Sequence, residues 1–290
     1  MKDKKIAYFG GEPLGLPVLE ELAANGIVPN LIVCNPDRPS GRGHVLTPPP
    51  VKIWAIERDI AVFQPESLKD KNQLAPLTET DWDVFIVVAY NHILPEWLIE
   101  LPTHKTLNVH PSLLPKLRGP SPIRTAILND ERDAIGVSVM LMDSEMDHGP
   151  ILAQLPMQIA DENWPMSGGV LDEALAHRGG TLLADTVPKW LDGKIDPQPQ
   201  NHELATYTQK MSKADGALML DPQNLPTGEN AHQMLLKIKA YDGWPSTYFI
   251  HKGKRVKITD ASLDESGALK ILRIIPEGKK EVRYDSFINS

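Results

Sequence analysis

Cysteine is nearly absent from this 290-residue chain, in which Cys34 is the only example. A single thiol excludes an internal disulfide framework and any zinc site built from several cysteines. No apolar run approaches the ~20 residues that a membrane-spanning helix needs. The apolar stretch near the N-terminus is too short for a secretory signal. We therefore expect a cytoplasmic protein that does not enter a membrane.

The chain also lacks the glycine motifs that bind nucleotide phosphates. The glycines of residues 10–15 do not have the G-x-G-x-x-G spacing, and Pro13 removes a backbone N–H where a dinucleotide phosphate would need one. The P-loop, zinc-protease and nucleophile-elbow motifs are missing as well. A tight turn between a strand and a helix is the better interpretation of these glycines.

Composition favours two globular domains. Apolar residues make up 41% of the chain and charged residues 23%, with a net charge of −8, so a full core can form. Residues 204–290 carry 13 Lys/Arg against 10 Asp/Glu, whereas the rest carries 17 against 28. The mildly basic C-terminal part hints at a polyanionic partner, although an ordinary solvated surface explains the charges equally well.

Hydrophobic patterning predicts an α/β domain followed by a small β domain. Strand-like and helix-like segments alternate over residues 1–191, and the run 83–89 is typical of a central strand in a parallel sheet. We predict a doubly wound, mostly parallel, Rossmann-like sheet there. Residues 192–203 contain two prolines and no periodicity, which indicates a linker. Short strands in 204–290 predict an OB-like β-barrel, a type often used for nucleic-acid binding.

Three polar residues form the clearest candidate site. Asn108 and His110 lie two apart on a predicted strand, so their side chains share one face, and Pro111 ends the strand just beyond them. Asp147 lies in a turn-like segment that follows later. An amide donor, an imidazole and a carboxylate suit acyl transfer, in which a carbonyl oxygen gains charge while a proton moves. A core histidine and an Asx turn are the alternatives for His110 and Asp147.

Residues 36–43 form a polar loop with Arg38 and Arg42 among prolines and glycines. The loop follows the second predicted strand, at the sheet edge where ligands of such folds bind. Because guanidinium groups bind phosphates well, a phosphate contact is the functional interpretation. A solvated surface loop is the alternative.

Taken together, the motifs resemble those of the methionyl-tRNA formyltransferases, within the class that uses 10-formyltetrahydrofolate. The class motif Asn-x-His-x-Ser-Leu-Leu-Pro occupies residues 108–115, and Asp-x-Gly occupies 147–149. Further matching segments are 35–43, 49–52, 63–65, 118–123, 206–213 and 240–245. Two departures stand out: Glu12 replaces the usual threonine, and His44-Val45 follows Gly43 where many members carry lysines.

The resemblance implies transfer of a formyl group from 10-formyltetrahydrofolate to the α-amine of methionyl initiator tRNA. Asn108 and His110 would donate to the oxyanion, Asp147 would orient His110, and no metal would be needed. The implied folate-binding residues are Tyr90, Asn91, Ile93, Leu94, Ser112, Leu113, Leu114, Pro115 and Asp143. The implied tRNA-binding residues, beside the C-terminal domain 204–290, are Arg38, Arg42, Lys210 and Lys213. We expect a monomer.

Two other functions stay open at this point. A formyltransferase acting on an amino-sugar nucleotide would share the sheet, the three residues and the folate. A non-catalytic tRNA- or folate-binding module would share the scaffold but would not need Asn108, His110 and Asp147 together.

Overall fold

The computed structural model describes residues 3–40 and 45–288. The chain divides into two compact units. The first comprises Met1–Arg118, Gly136–Met157 and Glu173–Thr206, and the second comprises Gly119–Ile135, Gln158–Asp172 and Tyr207–Ser290. No helix within the described ranges is long and apolar enough to cross a bilayer.

The first unit is built on a seven-stranded sheet with the order β5-β2-β1-β6-β7-β8-β9. The first nine strands of the chain are β1 Ile6–Gly10, β2 Leu31–Val33, β3 Arg38–Ser40, β4 Val45–Thr47, β5 Ala61–Phe63, β6 Val84–Val88, β7 Thr106–His110, β8 Gly136–Leu141 and β9 Ile151–Pro156. In this order the first five strands, β5, β2, β1, β6 and β7, are parallel to one another, whereas β8 and β9 each run antiparallel to the preceding strand of the sheet. The predicted doubly wound, mostly parallel sheet is therefore confirmed.

Helices connect most of these strands. The first six are α1 Gly15–Ala24, α2 Pro50–Ile56, α3 Ala75–Thr78, α4 Glu96–Ile99, α5 Pro122–Leu128 and α6 Gly168–Leu191. Every residue of β1 and β6 is buried, because central parallel strands are covered on both faces. That burial explains why β6 reads as an unbroken apolar run rather than an alternating one. The carboxyl ends of β1, β2, β6 and β7 form one edge of the sheet, and the candidate residues follow those ends.

The second unit contains a four-stranded antiparallel sheet. Its elements are α7 Gly228–Ala240, β10 Tyr248–His251, β11 Lys254–Leu263, β12 Leu269–Pro276, β13 Val282–Arg283 and α8 Tyr284–Ile288. Apolar side chains from α7 and from alternate strand positions form its core, among them Leu235, Phe249 and Ile274. This sheet agrees with the predicted small β domain.

One element of the first unit differs from the prediction. Residues 38–40 were expected to lie in a polar loop, but they form β3 and pair with β4 in a short antiparallel hairpin. Prolines and serines rarely signal a strand, so the pairing is not apparent in the sequence. The short apolar run Ala61–Phe63 of β5, by contrast, is of the kind that predicts a strand.

Candidate active site

Strand β7 presents the first two candidate residues. Asn108 pairs with Val87 of β6 on one side and with Met140 of β8 on the other, and His110 pairs with Ser138. Both side chains therefore project from the same face at the carboxyl end of a central strand. Within the described residues, the Asn108 side-chain amide makes no hydrogen bond, so its N–H groups are available to a ligand.

One ring nitrogen of His110 is held by a hydrogen bond, and the other faces the Asp147 carboxylate. Nε2 lies 2.9 Å from the Leu117 carbonyl oxygen, and Nδ1 lies 3.6 Å from Asp147 Oδ2. A carbonyl only accepts, so Nε2 carries a proton and donates it. Nδ1 then presents a lone pair to Asp147 when the ring is neutral and a proton when the ring is charged. Because His110 is only 4% exposed, this geometry makes Nδ1 the atom through which a proton can move beside Asp147.

Asp147 lies in the loop between β8 and β9, in a left-handed backbone conformation with φ of 51°. Such a conformation costs a non-glycine residue on the order of 1 kcal/mol, so the surrounding contacts must maintain it. Gly149 explains the Asp-x-Gly spacing: a Cβ at this position would lie 2.1 Å from the Leu141 carbonyl oxygen. Only glycine lets the loop pass that close to the end of β8.

A buried glutamine braces this loop. Gln200 Nε2 donates to the Asp147 carbonyl at 2.9 Å and to the Gly149 carbonyl at 2.7 Å. Its Oε1 accepts from Arg118 Nε at 3.1 Å and Nη2 at 2.6 Å. Arg118 is 1% exposed and Gln200 5% exposed. Sequence reasoning identified neither residue as part of the site, because Gln200 acts on backbone carbonyls about 50 positions away and no motif signals such a contact.

His148, on the same loop, stacks on the ring of His202, which lies in a later segment of the chain. The rings of His148 and His202 are parallel within 6°, with centroids 4.1 Å apart. His148 Nδ1 lies 2.7 Å from Asp143 Oδ2, and Arg118 Nη2 donates to His202 Nδ1 at 2.9 Å. Since guanidinium has only donors, His202 Nδ1 is unprotonated. Asp143, predicted to bind folate, is thus engaged with His148.

The predicted folate-binding residues after β7 lie partly inside the protein. Ser112 is fully buried, with its Oγ donating to the Lys116 carbonyl at 2.7 Å. Leu114 is also buried, and its backbone N–H donates to Ser138 Oγ at 3.1 Å. Leu113 and Pro115 are half-buried. Ser112 and Leu114 therefore fix the backbone of the motif, whereas Leu113 and Pro115 keep accessible surface that a ligand could contact.

The predicted folate-binding residues after β6 divide in the same way. Leu94 packs in the core, whereas Ile93 is 87% exposed. Asn91 donates from its side-chain amide to the Glu12 carboxylate. The Tyr90 ring packs against Phe9 with centroids 5.6 Å apart.

Two buried polar atoms at this sheet edge have no partner within the described ranges: Asn35 Oδ1, after β2, and Tyr90 Oη, after β6. Burial raises the pKa of the Tyr90 hydroxyl, so the group stays a donor at neutral pH. A buried polar atom left unpaired costs about 1–3 kcal/mol. Unpaired atoms at the carboxyl ends of two strands, where ligands of doubly wound folds bind, therefore favour a polar ligand there.

The predicted phosphate-binding arginines differ in what can be said of them. Arg38 is exposed at the start of β3, and Arg42 lies outside the described residues. Next to Arg38, the Asp37 carboxylate accepts from Lys52 Nζ at 2.8 Å and from Gln64 Nε2 at 2.8 Å. These hydrogen bonds, that of Lys52 first, lower the pKa of the Asp37 carboxyl and tie the base of the hairpin to α2.

Lys210 and Lys213 belong to the second unit and are both exposed. Lys213 opens a short 3-10 helix, whose first turn is fixed by reciprocal hydrogen bonds between Ser212 and Asp215. Among the described residues, no group of three or more His, Cys, Asp or Glu side chains could hold a metal ion.

Fold and site together define a class of protein. The family model described as formyl transferase matches residues 4–182, which include all seven strands of the main sheet, Asn108, His110 and Asp147. The chain therefore belongs to the formyl transferases.

Relatives over nearly the full length narrow the class. A methionyl-tRNA formyltransferase of Halalkalibacterium halodurans is 33% identical over 98% of this chain and 94% of its own. One from Chloroflexus aurantiacus is 38% identical over 89% of this chain and 80% of its own. The chain belongs to the methionyl-tRNA formyltransferase family, as the resemblance of its motifs predicted.

Solved structures share the fold. An N-formyltransferase of Helicobacter canadensis, in complex with folinic acid and dTDP-3-aminofucose, has a TM-score of 0.63 and 16% identity, covering 96% of this chain and 100% of that one.

Proposed function

We propose that this protein transfers the formyl group of 10-formyltetrahydrofolate to the α-amino group of methionyl initiator tRNA. The relatives named methionyl-tRNA formyltransferase, which match over most of the chain, support formyl transfer to methionyl-tRNA. The observation that carries the chemistry is the unpartnered Asn108 amide beside a His110–Asp147 pair separated by 3.6 Å. A hydrogen-bond donor thus lies on the same strand face as a group that can move a proton.

The residues present fit a folate at the ends of β2 and β6. A pteridine ring is flat and rich in hydrogen-bonding groups, and the unpaired Tyr90 Oη and Asn35 Oδ1 are one donor and one acceptor for such groups. Ile93 is exposed and offers apolar surface, as ligand pockets usually do. A folate bound at this sheet edge would supply the formyl group from N10.

Asn108 acts as the oxyanion donor in this proposal. Its backbone is fixed between two neighbouring strands, so the amide starts from a defined position when charge develops on the formyl oxygen. For His110, the structure leaves fewer ring nitrogens available to the reaction than the sequence alone suggested. Because Nε2 is committed to the Leu117 carbonyl, only Nδ1 can face the reacting groups.

Proton transfer is assigned to Nδ1 of His110 and to Asp147. The attacking α-amine must lose a proton, and the ring can take it at Nδ1, where Asp147 stabilises the charge that results. As the bond between the formyl carbon and N10 breaks, the ring can give that proton to the leaving N10. The Leu117 carbonyl meanwhile keeps the ring in one orientation. Positioned general acid–base groups contribute about 10²–10⁴ in rate.

Binding of the tRNA is assigned to Arg38, Arg42, Lys210 and Lys213, with residues 204–290 as a tRNA-binding domain. The exposed Arg38, Lys210 and Lys213 can reach phosphates without losing a buried partner. The proposal also includes a monomeric, cytoplasmic enzyme that needs no metal.

One assay with several arms tests the function. The protein is incubated with 10-formyltetrahydrofolate and charged initiator tRNA, and the product is followed by acid-gel mobility. We expect formylated methionyl-tRNA in a single-turnover burst. A second arm replaces the tRNA with a dTDP-amino sugar. Formylation of the sugar but not of the tRNA would mean that the protein is a sugar-nucleotide formyltransferase. Binding of both ligands without any product would mean a non-catalytic module.

A further inference from the structure

Residues 198–206, most of which were predicted to be part of a linker, form specific hydrogen bonds with the segments that carry the site. Gln198 pairs through its backbone with Ile151, with both N–H···O distances at 2.9 Å. Thr206 Oγ1 accepts from the Leu117 N–H at 2.8 Å, and the Thr206 carbonyl accepts from the Arg118 N–H at 2.9 Å. The segment therefore fixes the turn whose Leu117 carbonyl orients His110.

The same segment fixes the other half of the pair. The amide of Gln200 donates one hydrogen to the Asp147 carbonyl and the other to the Gly149 carbonyl, so it holds the loop on both sides of His148. The amide orientation is unambiguous, because carbonyls only accept and the Arg118 guanidinium only donates. All four hydrogen-bonding contacts of the amide have a matching donor or acceptor.

Arg118 joins the two halves. Its backbone follows Leu117, on which His110 rests, and its buried side chain holds Gln200 and, at 2.9 Å, His202. His202 in turn stacks on His148, the neighbour of Asp147. A shift of either loop would therefore disturb hydrogen bonds that also hold the other.

We propose that Gln200 and Arg118 are positioning residues of the formyl-transfer site, which hold the strained Asp147 loop at its distance from His110. This inference rests on the proposed function for its activity readout. Neither residue faces the reacting atoms in this account. Each acts through Asp147 and His110, so its loss should slow turnover and leave the folate surface at β6 unchanged.

Gln200→Glu is the sharpest variant. It keeps size and shape, and its carboxylate can still pair with Arg118, so the protein should fold. It cannot donate to the Asp147 and Gly149 carbonyls, and it repels them. We expect kcat to fall about 10- to 100-fold, the range found for supporting residues and for displacements of about 1 Å. The KM for 10-formyltetrahydrofolate should stay within about threefold.

Gln198→Glu is the matched control. Gln198 is exposed in the same segment, and its side-chain amide donates to the Asp196 carbonyl at 3.0 Å. It makes the same chemical change two residues away, and its kcat should stay within about twofold of wild type. Should Gln200→Glu not fold, Gln200→Met removes the donors without adding charge and carries the same expectation.

A double-mutant cycle separates positioning from general stability. If Gln200 acts through Asp147, adding Gln200→Glu to Asp147→Asn should slow turnover by less than about threefold beyond Asp147→Asn alone. Fully additive losses, or a fall in kcat matched by a fall in Tm and in folate binding, would overturn the inference. Unchanged kcat in Gln200→Glu would overturn it as well.

The failure of the proposed function would show separately, as wild-type protein that makes no formylated tRNA. In that case the inference is decided by NMR of histidine-labelled protein, with the His110 signals assigned by their loss in His110→Asn. The His110 ring signals should shift in Gln200→Glu and stay in place in Gln198→Glu. Unshifted signals in Gln200→Glu would refute the inference without reference to activity.

Discussion

Arg118 and Arg255 show two opposite uses of one side chain. Arg118, in the first unit, is 1% exposed and donates to Gln200 and His202. Arg255, in the second unit, is exposed and lies 3.6 Å above the Tyr248 ring centroid. A buried guanidinium can fix a loop, because its planar set of donors forms strong hydrogen bonds of defined geometry and water does not compete for them. An exposed one adapts to a phosphate backbone at little desolvation cost.

The contrast extends to the other polar side chains. Most of the buried polar residues among those described belong to the first unit. They are Asn35, Thr106, His110, Ser112, Arg118, Ser138, Thr186 and Gln200. Catalysis requires preorganised groups, whereas recognition of a long polyanion draws on summed, screened charge. Single substitutions should therefore act strongly in the site and weakly on the surface of the second unit.

Asn108→Ala should give the largest effect on turnover. Removing one oxyanion donor typically costs about 10²–10³ in kcat, and the Tm should change by less than about 3 °C, because the amide has no protein partner to lose. Steady-state formylation and thermal unfolding measure the two quantities. Asn129→Ala, at the exposed end of α5, is the control and should leave both unchanged. A parallel loss of Tm and activity in Asn108→Ala would mean that the amide serves the fold.

Gly149→Ala tests how tightly the site is built. The new Cβ would lie 2.1 Å from the Leu141 carbonyl oxygen, so β8 or the Asp147 loop must move, at an expected cost of about 2–4 kcal/mol in the free energy of unfolding. Urea unfolding provides the measurement. Gly169→Ala, in α6, meets only the Asp242 carboxylate at 3.5 Å and should be neutral or slightly stabilising. Equal effects of both would remove the argument that close approach demands glycine in Asp-x-Gly.

These sites also show how far sequence reasoning reaches. Asn108 and His110 could be found because strand periodicity places residues two apart on one face. The ends of β5 and α5 could be found because apolar runs and a proline mark them. Gln200 could not, because its partners are backbone carbonyls, which every residue has. The hairpin of β3 and β4 was missed for a related reason. Its pairing depends on backbone hydrogen bonds, and the Arg-Pro-Ser sequence of β3 has no side-chain pattern that predicts a strand.

On the surface of the second unit, Lys210→Ala/Lys213→Ala should have a moderate effect. We expect the KM for tRNA to rise about 3- to 10-fold at low salt. The slope of log KM against log[salt] should fall by about 1–2, because each phosphate contact that is lost means about one counterion fewer released on binding. The kcat should not change. Formylation at several salt concentrations provides the measurement.

Lys189→Ala/Lys194→Ala is the control for that pair. It removes the same charge from the first unit, where each lysine is already paired, with Asp185 or Asp192. An equal change of the salt slope in the control would mean that net charge, rather than a contact at residues 210 and 213, determines tRNA affinity.

The smallest expected effect concerns acid stability at Asp37. Hydrogen bonds from Lys52 and Gln64 lower the pKa of its carboxyl in the folded protein. A lowered folded-state pKa means that the carboxylate stabilises the fold fully above its unfolded pKa of about 4 and loses that contribution as the pH falls further. Asp37→Asn should therefore lower the Tm at pH 7 by less than about 3 °C, and this difference should shrink as the pH falls through the lowered pKa of the Asp37 carboxyl. Asp185→Asn, which removes an exposed carboxylate paired with Lys189, is the matched substitution for comparison. A difference between wild type and Asp37→Asn that grows as the pH falls would contradict the sign of this linkage.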